Sequence, residues 1–199
     1  MKQRYVVLEG LDLAGKSVMV KKLKEILGWE TINEPYTGNE QATEVKRMNN
    51  ANYLPKHYEM MMLIASRIDC FDEVVSKHRL TGLISDRSVV SSMVYQSTDK
   101  FHMNDVLELN RIALAKAKHD VFPDKIIFID IPHGLFLERL AQGGRDIDEK
   151  DIWLKDPANW SDMRNRYIQA LRIMNKHGVE IHIIDYETSP ESVVRLIQK

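Results

Sequence analysis

Two glycines, a lysine and a serine in this chain have the spacing of a phosphate-binding loop. Gly10 and Gly15 bracket four residues and are followed directly by Lys16 and Ser17. Glycines let the backbone curl so that successive N–H groups converge on phosphate oxygens, while the lysine adds a positive charge and the serine hydroxyl can bind Mg²⁺. The pattern therefore predicts a site for a nucleoside triphosphate with Mg²⁺. The residues of this predicted site are Gly10, Leu11, Asp12, Leu13, Ala14, Gly15, Lys16, Ser17 and Val18.

The loop is predicted to lie where the motif has physical meaning, between a strand and a helix. Residues 4–9 form an apolar run that stops at Gly10, which predicts the first strand. Residues 16–27 carry apolar side chains at helical spacing and end before Gly28, a residue typical of helix C-caps. A helix that starts at the lysine adds its positive end to the phosphate site. The alternative is a chance glycine turn with a helix-capping serine.

Short apolar runs alternate with longer amphipathic stretches along the rest of the chain. Further strands are predicted at residues 30–33, 83–86, 125–130 and 179–185. Further helices are predicted at residues 53–77, 103–118, 134–142, 159–176 and 190–198. Strands separated by helices form parallel sheets, so we expect an α/β fold in three layers, with a five-stranded parallel sheet between helices. No linker divides the chain, and residues 1–199 are predicted to form one domain.

Two details of this prediction concern the longest helix and the least regular segment. In helix 53–77, five residues at helical spacing are expected to share one apolar face. They are Tyr58, Met61, Met62, Ala65 and Ile68. Residues 143–157 are charged and poorly patterned, and we expect them to be mobile or to be ordered by a ligand.

Composition excludes several classes of protein. Lys and Arg number 28 against 29 Asp and Glu, so the formal net charge is −1 and no general attraction to nucleic acid or anionic membranes is expected. One cysteine, Cys70, excludes an internal disulfide framework and a cysteine-rich zinc site. The apolar run that ends at Glu9 is too short for a signal peptide or a membrane span. These observations predict a cytoplasmic protein without a nucleic-acid polymer or a membrane as partner.

The glycine loop alone does not separate kinases, GTPases and motor ATPases. GTPase switches carry an Asn-Lys-x-Asp sequence that reads guanine, but the Asn-Lys pair of this chain, at residues 175–176, is followed by His177 and Gly178. A GTPase switch is therefore disfavoured. A non-catalytic nucleotide-binding module remains an alternative, but it would not need Arg87 at the end of strand 83–86, where open α/β sheets bind their ligands.

Four segments resemble the thymidylate kinase family. Residues 9–17, Glu-Gly-Leu-Asp-Leu-Ala-Gly-Lys-Ser, are similar to its P-loop, and residues 86–96 resemble its Asp-Arg segment, which ends in Tyr-Gln at the same spacing. Residues 63–67 resemble the family helix Leu-Leu-Phe-x-Ala-(Asp/Asn)-Arg, and residues 123–140 resemble its Pro-Asp strand and the Glu-Arg that follows. The resemblance covers nearly the whole chain in the expected order. It implies a P-loop kinase fold with a mobile lid at about residues 143–157, and a role in nucleotide biosynthesis.

The family resemblance also implies a reaction and its residues. The reaction is transfer of the γ-phosphate of ATP to a deoxynucleoside monophosphate, with dTMP as the first candidate. The residues with implied catalytic roles are Lys16, Arg87 and Arg145. Mg²⁺ would be held by Ser17 and Asp86, and ATP would also contact Arg139. The residues expected to bind the acceptor nucleotide are Asp12, Glu34, Leu63, Arg67, Arg87, Ser92, Tyr95 and Gln96.

The resemblance assigns separate tasks within the acceptor set. Asp12 would accept a hydrogen bond from the sugar 3′-hydroxyl, and Tyr95 would crowd the 2′ position and so favour deoxyribose. Arg87 would hold the acceptor phosphate, and Arg67 would reach the base near thymine O4. The other polar side chains of the set, those of Ser92 and Gln96, would line the edge of the base.

The chain departs from the family pattern at its base and cation positions. Leu63 occupies the position of a Phe that stacks on thymine, and it can pack against a base without offering a ring. Asn33 stands where the family has an arginine near the acceptor phosphate. Leu13 stands where some members place a catalytic arginine, so the charge is expected from the lid, from Arg145 first and Arg139 second.

Two alternative functions and one partner remain open. The sequences Asp-Arg-Ser and Asn-Glu-Pro-Tyr also resemble deoxyribonucleoside kinases, in which a carboxylate takes the 5′-hydroxyl proton, and Glu34 is the candidate for that base. A nucleotide kinase needs cations there instead, because its acceptor is already an anion, and the Tyr-Gln pair at residues 95–96 favours it. A broad-range dNMP kinase is the second alternative.

The methionines at residues 60–62 are interpreted as core, with the face of a homodimer as the other interpretation.

Overall fold

The computed structural model describes residues 4–50, 54–143 and 147–198 of the chain. Its strands are β1 (Tyr5–Glu9), β2 (Glu30–Asn33), β3 (Leu83–Asp86), β4 (Lys125–Asp130) and β5 (Glu180–Asp185). They form one sheet in the order β2-β3-β1-β4-β5, and every neighbouring pair is parallel. The predicted five-stranded parallel sheet is confirmed, with β1 and β5 each beginning one residue later than predicted.

The central strands are buried because they are apolar on both faces. All residues of β1 and β3 are buried, and so are the first five residues of β4. Val7 of β1 pairs with Ser85 of β3 on one side and with Ile126 of β4 on the other. Burial on both faces is typical of a parallel sheet between two layers of helices. The loop that follows β1 therefore lies at the middle of the carboxyl edge of the sheet.

The helices are α1 (Lys16–Leu27), α2 (Glu40–Asn50), α3 (Lys56–Cys70), α4 (Ser76–His78), α5 (Val89–Tyr95), α6 (Met103–Lys116), α7 (His133–Gln142), α8 (Glu149–Trp153), α9 (Pro157–Lys176) and α10 (Pro190–Gln198). A π-helical turn, Phe71–Val75, joins α3 to α4 and interrupts the single helix predicted there. The bounds of α1 and α10 are as predicted, and those of α6, α7 and α9 differ by one or two residues at one end. Across the described ranges, no helix has the length and the apolar character that crossing a bilayer would require.

Three helices lie outside the predicted set because they lack a single apolar face. α2 consists mainly of charged and other polar residues, whereas α5 is buried along most of its length. α8 lies within residues 143–157, where an irregular structure is expected, and that expectation is wrong for these five residues. A helix of this length shows no period in its sequence. It is fixed by reciprocal capping, in which Asp148 and Asp151 accept each other's backbone N–H groups at 2.8 and 3.1 Å.

The connections between strands distribute the helices over two layers. A right-handed crossover from β1 to β2 puts α1 on one face of the sheet. The connections from β2 to β3, β4 and β5 run in the opposite direction across the sheet, so right-handed crossovers put α3, α5, α6 and α9 on the other face. The contacts agree with this assignment. α1 packs against β1, β2, β3 and α10, while α5 packs against α6 and α9. The predicted three-layer α/β architecture is confirmed.

The inward face of α3 is not the predicted one. Tyr58 and Met61 are each 57% exposed, so the predicted apolar face of this helix is wrong. Met60 and Leu63 are buried instead, together with the polar Arg67. Apolar spacing fails here because the inward face carries polar side chains that line a cavity. The core interpretation of the three methionines holds for Met60 and is wrong for Met61.

Replacement of Gly82 tests the packing at the start of β3. Gly82 has a φ of +140°, and a Cβ atom there would lie 2.4 Å from the indole ring of Trp29, which is packed against the core. We expect Gly82→Ala to lower the free energy of unfolding by about 2–4 kcal/mol in urea denaturation, through overpacking added to backbone strain. Gly178→Ala is the control, since its φ is +89° but no atom lies within 4 Å, and about 1–2 kcal/mol is expected. Equal losses in both variants would contradict the packing role of Trp29.

Candidate active site

The glycine loop connects β1 to α1 at the carboxyl edge of the sheet. Gly15 caps α1 in a left-handed conformation, with a φ of +95°. A Cβ atom at Gly10 would lie 2.7 Å from the carbonyl oxygen of Ile129, so any side chain there would collide with β4. The two glycines thus let the loop turn tightly against the neighbouring strand. This turn leaves the positive end of α1 open to an anion.

Lys16 is folded back into the loop. Its Nζ donates hydrogen bonds to the carbonyl oxygens of Gly10 and Leu11, both at 2.9 Å, and the residue is buried. Burial and the nearby charge of Arg87 lower the pKa of Lys16 to about 8. Anionic phosphate oxygens are stronger acceptors than carbonyl oxygens, so a bound triphosphate can draw the ammonium group to itself.

Ser17 and Asp86 meet at the predicted metal position. Ser17 lies in the first turn of α1, Asp86 ends β3, and the serine Oγ donates a hydrogen bond to Asp86 Oδ2 at 2.5 Å. Mg²⁺ takes oxygen ligands and keeps several waters or phosphate oxygens, so one hydroxyl and one carboxylate are a suitable protein share. In residues 4–50, 54–143 and 147–198, no three His, Cys, Asp or Glu side chains are placed to hold a metal. Ser17 and Asp86 are thus a hydroxyl and a carboxylate that could hold such an ion together.

Arg87 leaves the end of β3 with a φ of +76°, which non-glycine residues rarely adopt. Its guanidinium group pairs with Asp12 Oδ1 and donates hydrogen bonds to Ser91 Oγ and Tyr167 Oη, each at 3.2 Å. Its Cζ lies 5.8 Å from the ring centroid of Tyr95. Contacts from the glycine loop, α5 and α9 therefore hold this cation in one place, next to the loop.

Asp12 is an anion that holds two cations. One carboxylate oxygen pairs with Arg87, and the other pairs with Nζ of Lys150 from α8. Burial alone would raise the pKa of Asp12, but Arg87, Lys150 and Lys16 hold it well below its usual range. Asp12 is therefore ionised at physiological pH and is a weak base. Lys150 is missing from the predicted site, because nothing in the sequence around it marks a helix that reaches the loop.

Glu9, the last residue of β1, lies beside this group of charges. It is fully buried, and its carboxylate accepts hydrogen bonds from Ser88 Oγ at 2.8 Å and Ser91 Oγ at 2.9 Å. Burial raises the pKa of Glu9 to about 7, against the opposing effect of Arg87. Because Ser91 also accepts a hydrogen bond from Arg87, Glu9 supports that arginine through one intervening side chain. Glu9 is missing from the predicted site, although an acid that ends an apolar strand is a signal that could have found it.

A second buried network joins the loop after β2 to α3, α5 and α6. Arg67 Nε donates hydrogen bonds to the two carboxylate oxygens of Glu34 at 2.9 and 3.1 Å, and Nη2 donates to Ser92 Oγ at 3.1 Å. Nη1 donates to the side-chain oxygen of Asn110, which the predicted site does not include. Glu34 is followed by Pro35 across a cis peptide bond. Three predicted acceptor residues, Glu34, Arg67 and Ser92, are thus brought together.

Residues of both groups line one cavity of about 1450 Å³. A pocket for one small ligand usually measures about 300–1000 Å³, so this cavity has room for two. The predicted site residues that line it are Asp12, Leu13, Ala14, Gly15, Lys16, Ser17, Val18, Glu34, Leu63, Arg67, Asp86, Arg87, Ser92, Tyr95, Gln96 and Arg139. Gly10 and Leu11 contribute the carbonyl groups that Lys16 contacts. Arg145, predicted to be catalytic, lies outside the described residues.

Arg139 of α7 brings a further cation to the glycine loop. Its Nη1 donates a hydrogen bond to the carbonyl oxygen of Leu13 at 2.6 Å, and its Cζ lies 6.0 Å from the ring centroid of Tyr186. A Cβ atom at Gly15 would lie 3.6 Å from the same Nη1. Arg139 is therefore within reach of an anion on the loop, which is compatible with its predicted contact with ATP.

The chain also matches known proteins over almost its whole length. Residues 8–197 match the family model described as thymidylate kinase. The thymidylate kinase of Campylobacter jejuni subsp. doylei is 31% identical over 98% of both chains, and that of Sulfurimonas denitrificans is 28% identical over 97% of this chain and 96% of its own. A crystal structure of thymidylate kinase from Ehrlichia chaffeensis has the same fold, with a TM-score of 0.69 at 20% identity over 98% of each chain. Because the family model and full-length relatives agree, this chain belongs to the thymidylate kinase family.

Proposed function

We propose that this chain transfers the γ-phosphate of ATP to the 5′-phosphate of dTMP, giving ADP and dTDP. The observation that carries this proposal is one cavity with two groups of cations. Lys16 lies in the glycine loop, and Arg87 and Lys150 lie on either side of Asp12. When donor and acceptor are both anions, the protein must neutralise them and hold them in line, with little covalent work. The relatives named thymidylate kinase support dTMP as the acceptor.

The donor end of the cavity is proposed to bind the triphosphate of ATP. Lys16 and the N–H groups of the loop would contact the β- and γ-phosphates, and Arg139 would add a positive charge beside Leu13. Ser17 and Asp86 are the residues that would hold Mg²⁺, and neutralisation of the donor phosphates is the chemistry that this ion supplies when bound. The remaining tasks of orientation and charge balance fall to the side chains of the loop.

The charges at the acceptor end favour a nucleotide over a nucleoside. A nucleoside kinase needs a carboxylate that takes a proton from the 5′-hydroxyl. Asp12 is unsuited to this, because neighbouring cations outweigh burial and hold its pKa well below the usual range, and Glu34 is held by Arg67. A phosphate acceptor needs no such base and gains from Arg87. In this arrangement Asp12 accepts the 3′-hydroxyl hydrogen bond, and Tyr95 crowds the 2′ position.

The base is proposed to lie between Leu63 and Arg67. A guanidinium group has five N–H donors, and the contacts of Arg67 with Glu34, Ser92 and Asn110 use four of them. Among the described side chains, this leaves one N–H of Nη1 for a ligand. A carbonyl oxygen such as thymine O4 is an acceptor of the required kind. Cytosine offers an amino group at the same position, so this donor favours thymine.

Residues 143–157 are proposed to act as the lid of one P-loop kinase domain that spans residues 1–199. A lid excludes water from the reacting phosphates, because water would otherwise hydrolyse ATP without transfer to the acceptor. α8 lies in this segment and already contacts Asp12 through Lys150. Arg145 remains the lid arginine that is proposed to be catalytic.

A homodimer is proposed from apolar side chains on two neighbouring helices. Tyr58 and Met61 of α3 are each 57% exposed, and Ile112 of α6 is 45% exposed. Because α3 packs against α6, one partner surface could cover all three.

Consumption of ATP and the single cysteine favour a cytoplasmic location for this enzyme.

A panel of acceptors tests the proposed reaction. The purified chain is incubated with ATP, Mg²⁺ and either dTMP, dUMP, dCMP, dGMP or thymidine, and the products are separated by chromatography. We expect dTMP to give dTDP at the highest kcat/KM and thymidine to give no dTMP, because the acceptor site is cationic. Phosphorylation of thymidine would support the nucleoside kinase instead. Similar rates with all four monophosphates would support a broad-range kinase.

The lowered pKa of Lys16 makes ATP binding pH-dependent. Near pH 8 about half of the ligand-free molecules carry a neutral Lys16, whereas a bound triphosphate favours the charged form. ATP binding at pH 8 should therefore take up about half a proton, and affinity should fall as the pH rises from 7 to 9. Calorimetry in two buffers with different ionisation enthalpies measures the uptake.

The variant Lys16→Met provides the control for this measurement. It keeps a long apolar stem but has no titratable group, so the proton uptake assigned to Lys16 should disappear. Turnover should also fall by at least about 100-fold, because the positive charge that stabilises the donor phosphates is lost. Undiminished proton uptake in Lys16→Met would contradict the assignment.

A further inference from the structure

Lys150 connects the proposed lid to the proposed acceptor site. It lies in α8, within residues 143–157, and its Nζ reaches Asp12 in the glycine loop. We propose that Lys150 is the second cation of the acceptor-phosphate site, acting together with Arg87. This inference rests on the proposed function and adds a residue that the sequence does not single out.

The two cations share one carboxylate and one aromatic ring. Arg87 pairs with Oδ1 of Asp12, and Lys150 pairs with Oδ2. Lys150 Nζ lies 4.7 Å from the ring centroid of Tyr95, and Arg87 Cζ lies 5.8 Å from the same centroid. Two like charges are stable this close together only with anions around them. Asp12 supplies one negative charge against two positive charges, and the phosphate of the acceptor supplies the rest.

Three other cations of the cavity are engaged elsewhere. Lys16 contacts the carbonyl groups of its own loop, Arg139 contacts Leu13, and Arg67 is paired with Glu34. The last residue of β2, Asn33, is uncharged. An acceptor phosphate beside Arg87 would therefore also meet Lys150, the other cation that contacts Asp12.

The backbone of Lys150 is fixed independently of any ligand. Asp148 and Asp151 cap the helix reciprocally, and Asp151 is fully buried. The N–H of Leu154 donates a hydrogen bond to the carbonyl oxygen of Lys150 at 2.9 Å, and the carbonyl oxygen of Leu154 lies 3.0 Å from His133 Nε2. The side chain of Leu154 is buried as well. α8 is thus anchored on both sides of Lys150, and the lysine stem can extend to the acceptor site from a defined position.

Binding of dTMP and thymidine to three variants tests this role. The two ligands differ only in the phosphate, so their difference in affinity isolates the phosphate contacts. Lys150→Met removes the charge and Lys150→Arg keeps it, whereas Lys155→Met removes an exposed charge from the same segment. Affinities are measured by titration calorimetry, and KM for dTMP, KM for ATP and kcat are measured in parallel. Since Lys150 is partly exposed, its replacement is compatible with folding, which thermal denaturation checks.

We expect Lys150→Met to weaken dTMP binding by about 10- to 100-fold and to raise the KM for dTMP similarly, as loss of one charge-assisted contact does. Thymidine binding and the KM for ATP should stay within about twofold. Lys150→Arg should restore most of the dTMP affinity, and Lys155→Met should behave as the unaltered chain.

Three results would overturn the proposal. Unchanged dTMP affinity in Lys150→Met would remove Lys150 from the site, and an effect on ATP alone would assign it to the donor. Equal losses for dTMP and thymidine would mean that Lys150 only shapes the lid. Failure of the proposed function would give a different result: the unaltered chain would form no dTDP and would bind dTMP no more tightly than thymidine. That result would overturn both proposals.

Discussion

The ion pair between Asp12 and Arg87 is the contact on which the organisation of the site depends. It joins the loop after β1 to the turn after β3, and these two strands are neighbours in the sheet. Parallel strands present their carboxyl ends at one edge, so the sheet itself brings the loop and the turn together. Burial of a charge is costly unless it is paired and hydrogen-bonded. Here Ser91 and Tyr167 satisfy further donors of the arginine, which keeps both charges in the cavity without an unpaired partner.

Glu9 and Asp12 lie three residues apart, and their surroundings shift the pKa values of their carboxylates in opposite directions. Glu9 accepts hydrogen bonds from neutral serine hydroxyls, and burial raises its pKa to about 7. Asp12 is also buried, but it touches Arg87 and Lys150, and these cations hold its pKa well below the usual range. As the pH falls through 7, Glu9 takes up a proton while Asp12 stays charged. Asp12, which pairs directly with Arg87 and Lys150, therefore keeps its negative charge at every physiological pH.

The parts of the site that are continuous in sequence could be predicted, because local signals mark them. The bounds of β3 and β4 follow from apolar runs, and those of α1 follow from helical spacing and from Gly28, which ends it. The loop, its lysine and its serine follow from one motif. Arg87 could be predicted from its place after β3.

Contacts between distant residues could not be predicted in this way. Arg67 and Asn110 are 43 residues apart, and Arg87 and Tyr167 are 80 apart, and no local pattern states which side chains face each other. Lys150 shows the same limit, since a helix of five residues has no period and its contact with Asp12 joins two distant parts of the chain. A polar inward face, as on α3, also misleads any prediction that equates the interior with apolar residues. Functional cavities are where that equation fails.

Charge balance connects the proposed lid to the choice of acceptor. Arg87, Lys150 and Asp12 together carry a net charge of +1. A nucleoside adds no negative charge to these three side chains, whereas a phosphate dianion more than offsets their surplus and also relieves the repulsion between the two cations. A carboxylate has about four lone-pair sites, so Asp12 can accept a sugar hydroxyl without releasing either cation. The same three side chains would therefore select a nucleotide over a nucleoside before any contact with the base is made.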